Sequence, residues 1–370
     1  MLGNGRRKMY ILIILVVLTI IFLILRYTKV RYNEEDHVLK IQKQHIEEIY
    51  LDNFSGKNYF NPWRKDERNF LHTIKWFFEK KQSFNYEKNK YLPKNMDLSI
   101  EEYKKIINSD KDFIIWIGHN TSLIKVQGEL FLVDPIFADK IFSTKRESKV
   151  GLELDMLNEL LKDKKLNILI THNHYDHFDI ESLKKLKANG VIYAPKGISN
   201  LLKSFDSFEI KELNWWDEVK IGDLKLKFLP AQHYSHRIDQ FKNKSLWGSF
   251  LIETSKEGES IFIGGDSGYF IGYKEYGRKF KIKYAVVPVG GYKTRWFAEY
   301  EHLNVEESLE VMKDLKTEYI IPVHWGTYHL GVEPVDYTGY KYSLLFKENK
   351  NLENKVKLVN FGEIFYISVK

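Results

Sequence analysis

The sequence contains no cysteine in 370 residues, so it offers neither a disulfide bond nor a thiolate to hold a metal ion. This absence fits either face of a membrane, because it neither requires nor forbids an oxidising compartment. Internal repeats and low-complexity tracts are also absent, which excludes repeat architectures. Hydrophobic residues make up 44% of the chain, enough for one sizeable core plus an extension. The sequence therefore predicts one large folded domain.

The long apolar run of the sequence lies at its N-terminus. Residues 9–25 are apolar apart from Thr19, and their length of about 17 residues is near the lower limit for crossing a bilayer. Since no small-x-small cleavage site follows Leu25, we predict that residues 1–31 hold an uncleaved single-pass membrane anchor rather than a signal peptide. Three basic residues on each side leave its orientation open.

The charge of the chain is compatible with several partners. A net charge of +7 and a pI near 9.0 suit an anionic membrane surface, a nucleic acid or simply a lysine-rich proteome. Because we find no added nucleic-acid domain, we expect a membrane partner and no nucleic acid. The bias towards lysine, asparagine and isoleucine is typical of low-GC bacteria, so the expected location is a bacterial cell membrane.

Histidines are concentrated in one short segment. Residues 171–177 hold three of the 12 histidines and one aspartate, directly after a strand-like apolar run. Residues two apart at a strand end lie on the same side, so His172 and His174 can hold one ion, while Asp176 and His177 fall in the following turn. Imidazole and carboxylate ligands suit zinc-like divalent ions. The alternative is a polar loop that is rich in histidine by chance.

Three later segments share one pattern: a short apolar strand, an abrupt turn and one ligand-type side chain. These side chains are His233, Asp266 and His324. A hydrolytic metal centre takes ligands from several segments and keeps a position open for water. The three residues therefore complete a candidate ligand set.

This set resembles the metal signature of the metallo-β-lactamase fold superfamily, His-x-His-x-Asp-His followed by a distant His, Asp and His. The resemblance implies an α+β fold, the αββα sandwich of two facing sheets with helices outside. It also implies two divalent metal ions, the first held by His172, His174 and His233, the second by Asp176, His177 and His324, with Asp266 as the bridge. The histidine at 174 is similar to the zinc hydrolases of the superfamily, so Zn²⁺ is the expected ion and Mn²⁺ or Fe²⁺ are alternatives.

A narrower resemblance covers residues 61–334. Seven motifs resemble the N-acylphosphatidylethanolamine-hydrolysing phospholipase D family: 116–121, 131–137, 171–179, 246–249, 264–269, 295–297 and 324–327. The resemblance implies cleavage of the phosphodiester of N-acylphosphatidylethanolamine-like glycerophospholipids, giving phosphatidic acid and N-acylethanolamine. Glu301 departs from the family, since an uncharged amide is expected there in the animal enzymes, and Tyr234 stands where they have tryptophan. Both departures bear on lipid specificity.

We expect Asp176, Asp266 and His302 to be the catalytic residues. Two divalent ions about 3.5–4 Å apart lower the pKa of a bridging water towards neutrality. The two aspartates act first as ligands, and His302 contacts the phosphate or protonates the leaving group, unless it is a surface histidine at a helix entry. We interpret His119 as a buried core histidine, with orientation of a ligand as the alternative. Asp134 is expected to stabilise the loop under the site.

For substrate binding we add Tyr175, Tyr269 and Arg295 to His302. The tyrosines flank ligands, and both an aromatic wall for an acyl chain and ordinary packing remain open. Arg295 either holds a phosphate or closes an ion pair in the core.

Residues 32–111 form an extension between the anchor and the catalytic domain, which we place at 112–370. Helices are predicted over 37–51 and 70–81. The second is dense in aromatic residues, which either dock into lipid headgroups or pack on the catalytic domain as a cover or as a contact in a homodimer.

Periodicity alone supports only a mixed α/β or α+β domain. Strands are predicted over 113–117, 122–126, 130–133, 191–194, 219–228, 248–253, 260–264 and 284–289, and helices over 180–187 and 305–316. Gln127 and Gly128 predict a hairpin turn. Asn304 and Glu307 predict the capped start of the last helix.

Three other functions compete. A metal-dependent hydrolase of a soluble lactone, ester or phosphodiester would share the fold and need no anchor. A nuclease would draw on the basic charge. A non-catalytic membrane scaffold would be expected to lose ligands, whereas all seven are present.

Overall fold

The computed structural model describes residues 2–27, 32–78, 83–203, 205, 208–255 and 259–368, and two β-sheets form its centre. The first sheet contains β1 (Asp112–Gly118), β2 (Thr121–Val126), β3 (Glu129–Val133), β6 (Lys165–Leu169), β7 (Asn189–Pro195), β8 (Phe208–Leu213) and β15 (Ile364–Ile367). The second contains β9 (Glu218–Ile221), β10 (Leu224–Leu229), β11 (Ser249–Glu253), β12 (Ser260–Ile263), β13 (Ile282–Pro288) and β14 (Tyr319–Val323). A small hairpin is made of β4 (Lys140–Ile141) and β5 (Thr144–Lys145).

The strand order brings several strand ends to one edge. The sheets run β15-β1-β2-β3-β6-β7-β8 and β14-β13-β12-β11-β10-β9. β3, β6, β7 and β8 are parallel, as are β12, β13 and β14, while the remaining neighbours are antiparallel. It follows that β1, β3 and β6 end at the same edge of the first sheet, and β10, β12 and β14 at the same edge of the second.

The side chains of β1 show how the layers pack. Ile114 and Trp116 belong to the core between the sheets, whereas Phe113, Ile115 and Ile117 belong to the core under the outer helices. Because both faces of the strand are covered, its sequence is continuously apolar instead of alternating.

Helices cover both outer faces, which confirms the predicted αββα sandwich. The first sheet is covered by α4 (Ile100–Ile107), α5 (Leu154–Leu161) and α6 (Ile180–Lys185), and the second by α7 (Gly272–Lys279), α9 (Val305–Asp314) and α10 (Tyr337–Glu348). The short α8 (Arg295–Ala298) lies before α9.

The N-terminal extension packs on this sandwich. It contains α2 (Glu34–Gln42), a 3₁₀ helix (Ile46–Tyr50) and α3 (Phe70–Phe78). Ile41, Ile49 and Trp63 join the larger buried hydrophobic cluster, which includes side chains of the second sheet and of α7. The prediction of one helix over 37–51 is wrong, because Gln44 turns inward, where its side-chain oxygen accepts a hydrogen bond from the backbone N–H of Ile271 at 2.9 Å. The chain then restarts as the 3₁₀ helix.

The apolar N-terminal run forms α1 (Leu2–Tyr27), which contacts α3. By length and apolarity together, none of the helices within the described residues qualifies as a membrane-crossing segment. Residues 1 and 28–31 of the predicted anchor and 79–81 of the second predicted helix lie outside the described residues. The anchor stays a prediction.

Local turn signals were mostly correct. Gln127 and Gly128, with φ of 48° and 84°, join β2 to β3 as predicted. Asn304 and Glu307 form the predicted capping box of α9. The single strand predicted over 219–228 is wrong, because Gly222, with φ of 56°, turns the chain between β9 and β10.

Candidate metal centre

The seven predicted metal ligands meet at the shared edge of the two sheets. His172, His174, Asp176 and His177 follow β6, His233 follows β10, Asp266 follows β12 and His324 follows β14. Each ligand lies one to eight residues beyond a buried strand, so the sheets fix the starting point of every ligand-bearing loop. The structure therefore brings together all the residues that the strand-end pattern selected.

One ligand group consists of histidines. Ligand atoms of His172, His174 and His233 all lie within 4.8 Å of one another. His233 Nε2 is 3.2 Å from His174 Nδ1. This is the group expected to hold the first ion.

A second group adjoins it and contains the carboxylates. His119, Asp176, His177 and His324 offer ligand atoms within 4.8 Å of one another. Asp266 Oδ2 is 3.3 Å from both His177 Nε2 and His324 Nε2, and Asp266 also groups with His172. Asp266 thus contacts members of both groups, the position expected of a bridge.

For His119 the preferred interpretation, a satisfied core histidine, is wrong, and the structure agrees with the alternative of a residue that contacts a ligand. It is 2% exposed, but it is not a satisfied core histidine, because Nε2 lies 3.0 Å from Asp176 Oδ2 and Nδ1 has no partner. Thr327 Oγ1 accepts a hydrogen bond from its backbone N–H at 2.7 Å. The available signal was its position after Gly118, since β1 ends at the same edge as β6.

Asp134 supports the centre from beneath, as expected. Its buried carboxylate accepts hydrogen bonds from Asn120 Nδ2 at 2.7 Å, His177 Nδ1 at 2.7 Å, Thr171 N at 2.8 Å and Thr171 Oγ1 at 2.7 Å. With Nδ1 engaged, His177 presents Nε2 to Asp266 and His324. A carboxylate behind a ligand histidine fixes its tautomer and ring orientation.

Close backbone approach at this edge requires glycine. A Cβ on Gly265 would lie 2.2 Å from the carbonyl oxygen of Gly248 and 2.8 Å from Thr171 Cβ. The glycine beside Asp266 therefore lets the loops after β6 and β12 pack directly together. This contact brings Asp266 next to the histidines.

The residues present fit a pair of cations. His172 Nε2, His233 Nδ1 and Asp266 Oδ1 are buried and have no hydrogen-bond partner in the described structure. A buried polar atom without a partner costs about 1–3 kcal/mol, so several at one point indicate a missing partner that is positively charged or polar. Imidazole nitrogen with carboxylate oxygen is a donor set that suits zinc and neighbouring divalent ions.

The charges of the cluster agree with this fit. Burial lowers the pKa of His174 and of His119 to about 3, so both rings are neutral and free to donate a lone pair at pH 7. Burial also works against a charge on His324, but the carboxylates of Asp266 and Asp176 outweigh it and raise its pKa to about 9. The carboxylates thus attract positive charge, which a divalent cation supplies in place of the proton.

The cluster opens into a cavity of about 780 Å³. Asp176, His302 and His324 lie at its base, and α3 contributes Phe70, Thr73 and Trp76 to its wall. Trp76 stacks on Phe297 with ring centroids 5.3 Å apart. The aromatic helix of the extension therefore packs on the catalytic domain and lines its cavity.

The substrate candidates are placed differently from one another. His302 faces the cluster, with Nδ1 3.6 Å from Asp266 Oδ2. Arg295 closes a core ion pair, Nη2 to Glu307 Oε1 at 2.7 Å, and its Nη1 donates to the carbonyl of His302 at 2.9 Å. Arg295 is 8% exposed and does not line the cavity, so the structure places it in the core ion pair and away from the predicted substrate position.

The two tyrosines also separate. Tyr175 lies in a groove beside His174 and Asp176, where its ring contacts Phe142 at 4.5 Å. The structure does not bring Tyr269 to the cluster, since its hydroxyl bonds to Asp314 at the end of α9. Tyr234 and Glu301, the two residues that differ from the phospholipase family pattern, both line the cavity.

Residues 131–325 match the family model described as the β-lactamase superfamily domain. The chain belongs to the β-lactamase superfamily. All seven predicted ligands of this superfamily member fall within the matched residues, and His119 falls outside them.

Relatives within the superfamily carry named activities. The chain is 33% identical over 230 residues to the mitochondrial N-acyl-phosphatidylethanolamine-hydrolyzing phospholipase D of Saccharomyces cerevisiae, covering 59% of this chain and 48% of that protein. It is 30% identical over 281 residues to N-acyl-phosphatidylethanolamine-hydrolyzing phospholipase D 1 of Caenorhabditis elegans, covering 69% of this chain and 76% of that protein. The chain thus spans about half of the yeast relative and three quarters of the nematode one.

Solved structures share the superfamily fold. The metallo hydrolase Igni18 of Ignicoccus hospitalis superposes with a TM-score of 0.53 at 20% identity, covering 70% of this chain and all of that one. A possible metal-dependent hydrolase of Veillonella parvula gives 0.56 at 16% identity with the same coverage. At these identities the likeness concerns the fold. The chain is a metal-dependent hydrolase of this superfamily by its family match and its buried histidine and aspartate groups.

Proposed function

We propose that the protein uses two divalent metal ions, Zn²⁺ by preference, to cleave N-acylphosphatidylethanolamine-like glycerophospholipids into phosphatidic acid and N-acylethanolamine. The observation that carries this proposal is the opening of two adjoining ligand groups into one large cavity with an aromatic wall. Such a cavity suits a substrate that joins a phosphodiester to acyl chains. The printed names of the yeast and nematode relatives point to the same reaction.

The first ion would be held by His172, His174 and His233, and the second by Asp176, His177 and His324. Two such cations would supply a water of near-neutral pKa and would neutralise charge on the phosphoryl oxygens. The chain's own groups orient the substrate beside them.

His302 faces both the cluster and the cavity, and it is not one of the seven predicted metal ligands. Arg295 fixes its backbone carbonyl, so the ring is held 3.6 Å from Asp266. From there an imidazole N–H can donate to an oxygen of the phosphodiester. His302 thus serves as a phosphate contact, or as the donor that meets the departing alcohol oxygen.

Cationic side chains surround the same space. Arg68, Lys242 and Lys293 line the cavity. Arg68 Nη1 pairs with Glu301 at 2.9 Å, and Lys242 pairs with Asp66 at 3.0 Å. These two cations are therefore balanced by carboxylates that also line the cavity, and Lys293 adds the remaining positive charge towards a phosphodiester anion. Glu301 adds a negative charge on the headgroup side, where it is expected to alter headgroup preference.

We further propose that α1 attaches the protein to a membrane. Its apolar side chains are exposed, with Leu12 at 63% and Phe22 at 59%. Deleting residues 1–31 is expected to spare hydrolysis of detergent-dispersed substrate but to weaken binding to vesicles. Equal vesicle binding of the shortened chain in a flotation assay would refute the attachment.

The reaction is tested by mass spectrometry of the products formed from N-acylated and ordinary phosphatidylethanolamine by the metal-loaded protein. We expect phosphatidic acid and N-acylethanolamine, with no product from the Asp266→Asn variant. Absence of product from either lipid, with metal shown to be bound, would refute the phospholipase assignment. The protein would then be expected to act on a soluble ester, lactone or phosphodiester.

A further inference from the structure

Four large apolar side chains project into solvent from three separate segments. They are Phe70 at 76% exposure, Phe142 at 67%, Ile238 at 83% and Phe241 at 79%. Outside α1, no other large apolar side chain of the described residues is exposed to this extent. Exposed apolar side chains that gather in one place mark a contact surface.

Three of these side chains line the space beside the metal ligands, and the fourth, Phe241, is next in sequence to a residue that lines it. Phe70 lines the cavity that holds His302 and His324. Phe142 and Ile238 line the adjoining groove with His174 and Asp176, and this groove shares Asp176 and Tyr234 with the cavity. The residue after Phe241, Lys242, lines the cavity as well. We call Phe70, Phe142, Ile238 and Phe241 the apolar rim.

Two of the rim residues are fixed in their projecting positions. Phe142 lies at the turn between β4 and β5 with φ of 53°, a backbone conformation that bulky residues rarely adopt. Its ring contacts Tyr175, whose hydroxyl accepts a hydrogen bond from Ile238 N at 3.3 Å. Tyr175, the residue beside His174, therefore links Phe142 to Ile238.

The loops that carry the rim are weakly basic. Residues 139–145 and 238–244 each contain two lysines and one aspartate. Lys145 and Lys242 are exposed beside Phe142 and Phe241. Apolar tips with flanking lysines complement a bilayer that contains anionic lipid, since the tips enter the acyl region and the lysines stay among the headgroups.

One helix of the rim also contacts the exposed apolar helix at the N-terminus. α1 contacts α3, which supplies Phe70 to the rim. α3 thus links α1 to the rim.

We infer that the apolar rim inserts into a lipid bilayer and places the metal cluster directly over it, so that a phospholipid enters the cavity from the membrane without crossing water. This inference rests on the proposed lipid substrate, but the insertion is measurable without any turnover. The occupant of the rim is a lipid surface. A second copy of this chain is the alternative that the experiment must separate from it.

The absence of native cysteine permits a direct test with single-cysteine variants of the full chain. Phe142→Cys, Ile238→Cys and Phe241→Cys are each labelled with a fluorophore and reconstituted into phosphatidylcholine vesicles containing phosphatidylglycerol. Asp223→Cys is the matched control, because it is exposed at the hairpin between β9 and β10, at the opposite end of the sandwich.

Lipid-borne nitroxide is expected to quench the three rim labels several-fold more than the label at 223, and aqueous iodide is expected to show the reverse order. Equal quenching at all four positions would overturn the inference. Protection from iodide that depends on protein concentration and not on vesicles would also overturn it, because it would assign the rim to a second copy of the chain. Either result is independent of whether any lipid is hydrolysed.

A kinetic comparison adds a second readout. Phe241→Ser, whose side chain does not line the cavity or the groove, is compared with Tyr366→Ser, an exposed residue of β15. Turnover of vesicle-borne lipid is expected to fall about tenfold in the first variant only, because serine leaves no aromatic side chain to bury in the acyl region. Hydrolysis of a small soluble phosphodiester is expected to be unchanged in both. Equal vesicle turnover in the two variants would contradict insertion of Phe241.

Discussion

Asp134→Asn is expected to weaken both the fold and the metal centre, although Asp134 is not a predicted metal ligand. It contacts His177 at Nδ1, whereas Nε2 is the nitrogen that faces Asp266. Oδ2 of Asp134 accepts bonds from Asn120, Thr171 Oγ1 and His177, while Oδ1 accepts only the backbone N–H of Thr171. The amide of asparagine will therefore place its NH₂ at the Oδ1 position. One donor then faces another, and the three remaining bonds lose the negative charge of their acceptor.

The magnitude follows from these bonds. A buried donor without a partner costs about 1–3 kcal/mol, and a bond to a charged group is worth about 1 kcal/mol more than a neutral one. We expect Asp134→Asn to lower the free energy of unfolding by about 4 kcal/mol, which leaves a folded protein if the total lies in the usual range of about 5–15 kcal/mol. Because His177 keeps a weaker partner, zinc affinity is expected to fall by about tenfold, the lower end for loss of a supporting carboxylate.

The assay is urea unfolding followed by tryptophan fluorescence, together with zinc titration against a competing chelator. Asp112→Asn is the matched control, a buried aspartate at the start of β1 that accepts one hydrogen bond, from Gln127 N at 2.8 Å. Burial raises the pKa of Asp112, so a neutral side chain is tolerated there and zinc affinity is expected to be unchanged. Wild-type zinc affinity in Asp134→Asn would refute the idea that this carboxylate orients His177.

Three further predictions follow from the site and the extension. Asp266→Asn is expected to abolish turnover while circular dichroism stays unchanged, and normal activity would sink the dinuclear centre. Gly265→Ala is expected to lower zinc affinity and melting temperature because its Cβ would approach the Gly248 carbonyl to 2.2 Å, whereas an unchanged variant would contradict that packing. Burial opposes ionisation of Asp66 and Glu299, but hydrogen bonds and charges from Arg68 on the first, and from His37 and Arg64 on the second, lower each pKa to about 2. The two ionised carboxylates therefore contribute their full stabilisation of the folded state above the unfolded pKa, near 4, and this stabilisation is lost as the pH falls towards 2. Hydrogen exchange of the backbone amides in residues 32–78 is expected to accelerate at that pH before exchange in the sheets does.

The ligand set was predictable because its chemistry is local. His172, His174, Asp176 and His177 stand within six residues of sequence after one strand. The three distant ligands each follow a buried strand, and strands that run in the same direction end at the same edge. Spacing and strand ends were therefore sufficient to select all seven.

The support and substrate residues depend on contacts that spacing does not encode. His119 stands alone in the sequence, and it joins the cluster only because β1 and β6 end at the same edge of the sheet. Tyr269 is three residues from Asp266, yet its hydroxyl turns to Asp314 on α9. Arg295 is bound by Glu307, a partner that lies in a different helix.

Hydrophobic periodicity left several helices and strands unpredicted, whereas the turn at Gly222 did have a signal in the sequence. Five helices and four strands were not predicted: α4, α5, α7, α8, α10, β4, β5, β8 and β15. α10 is 12 residues long, but it buries Thr338, Gly339 and Tyr342, so it carries no clear apolar stripe. The turn at Gly222 had a signal, because buried positions change from odd to even numbers, Ile221 before it and Leu224, Leu226 and Phe228 after it. A change in the phase of alternation indicates that a strand has ended.

The most direct test of the proposed reaction is hydrolysis of N-acylphosphatidylethanolamine by the metal-loaded protein in water enriched in ¹⁸O, with mass spectrometry of both products. Attack of water on phosphorus, with departure of the headgroup alcohol, predicts ¹⁸O in phosphatidic acid and none in N-acylethanolamine. The Asp266→Asn variant should release neither product. Label in the N-acylethanolamine, or no cleavage by protein that holds its metal, would contradict a phospholipase D reaction at this centre.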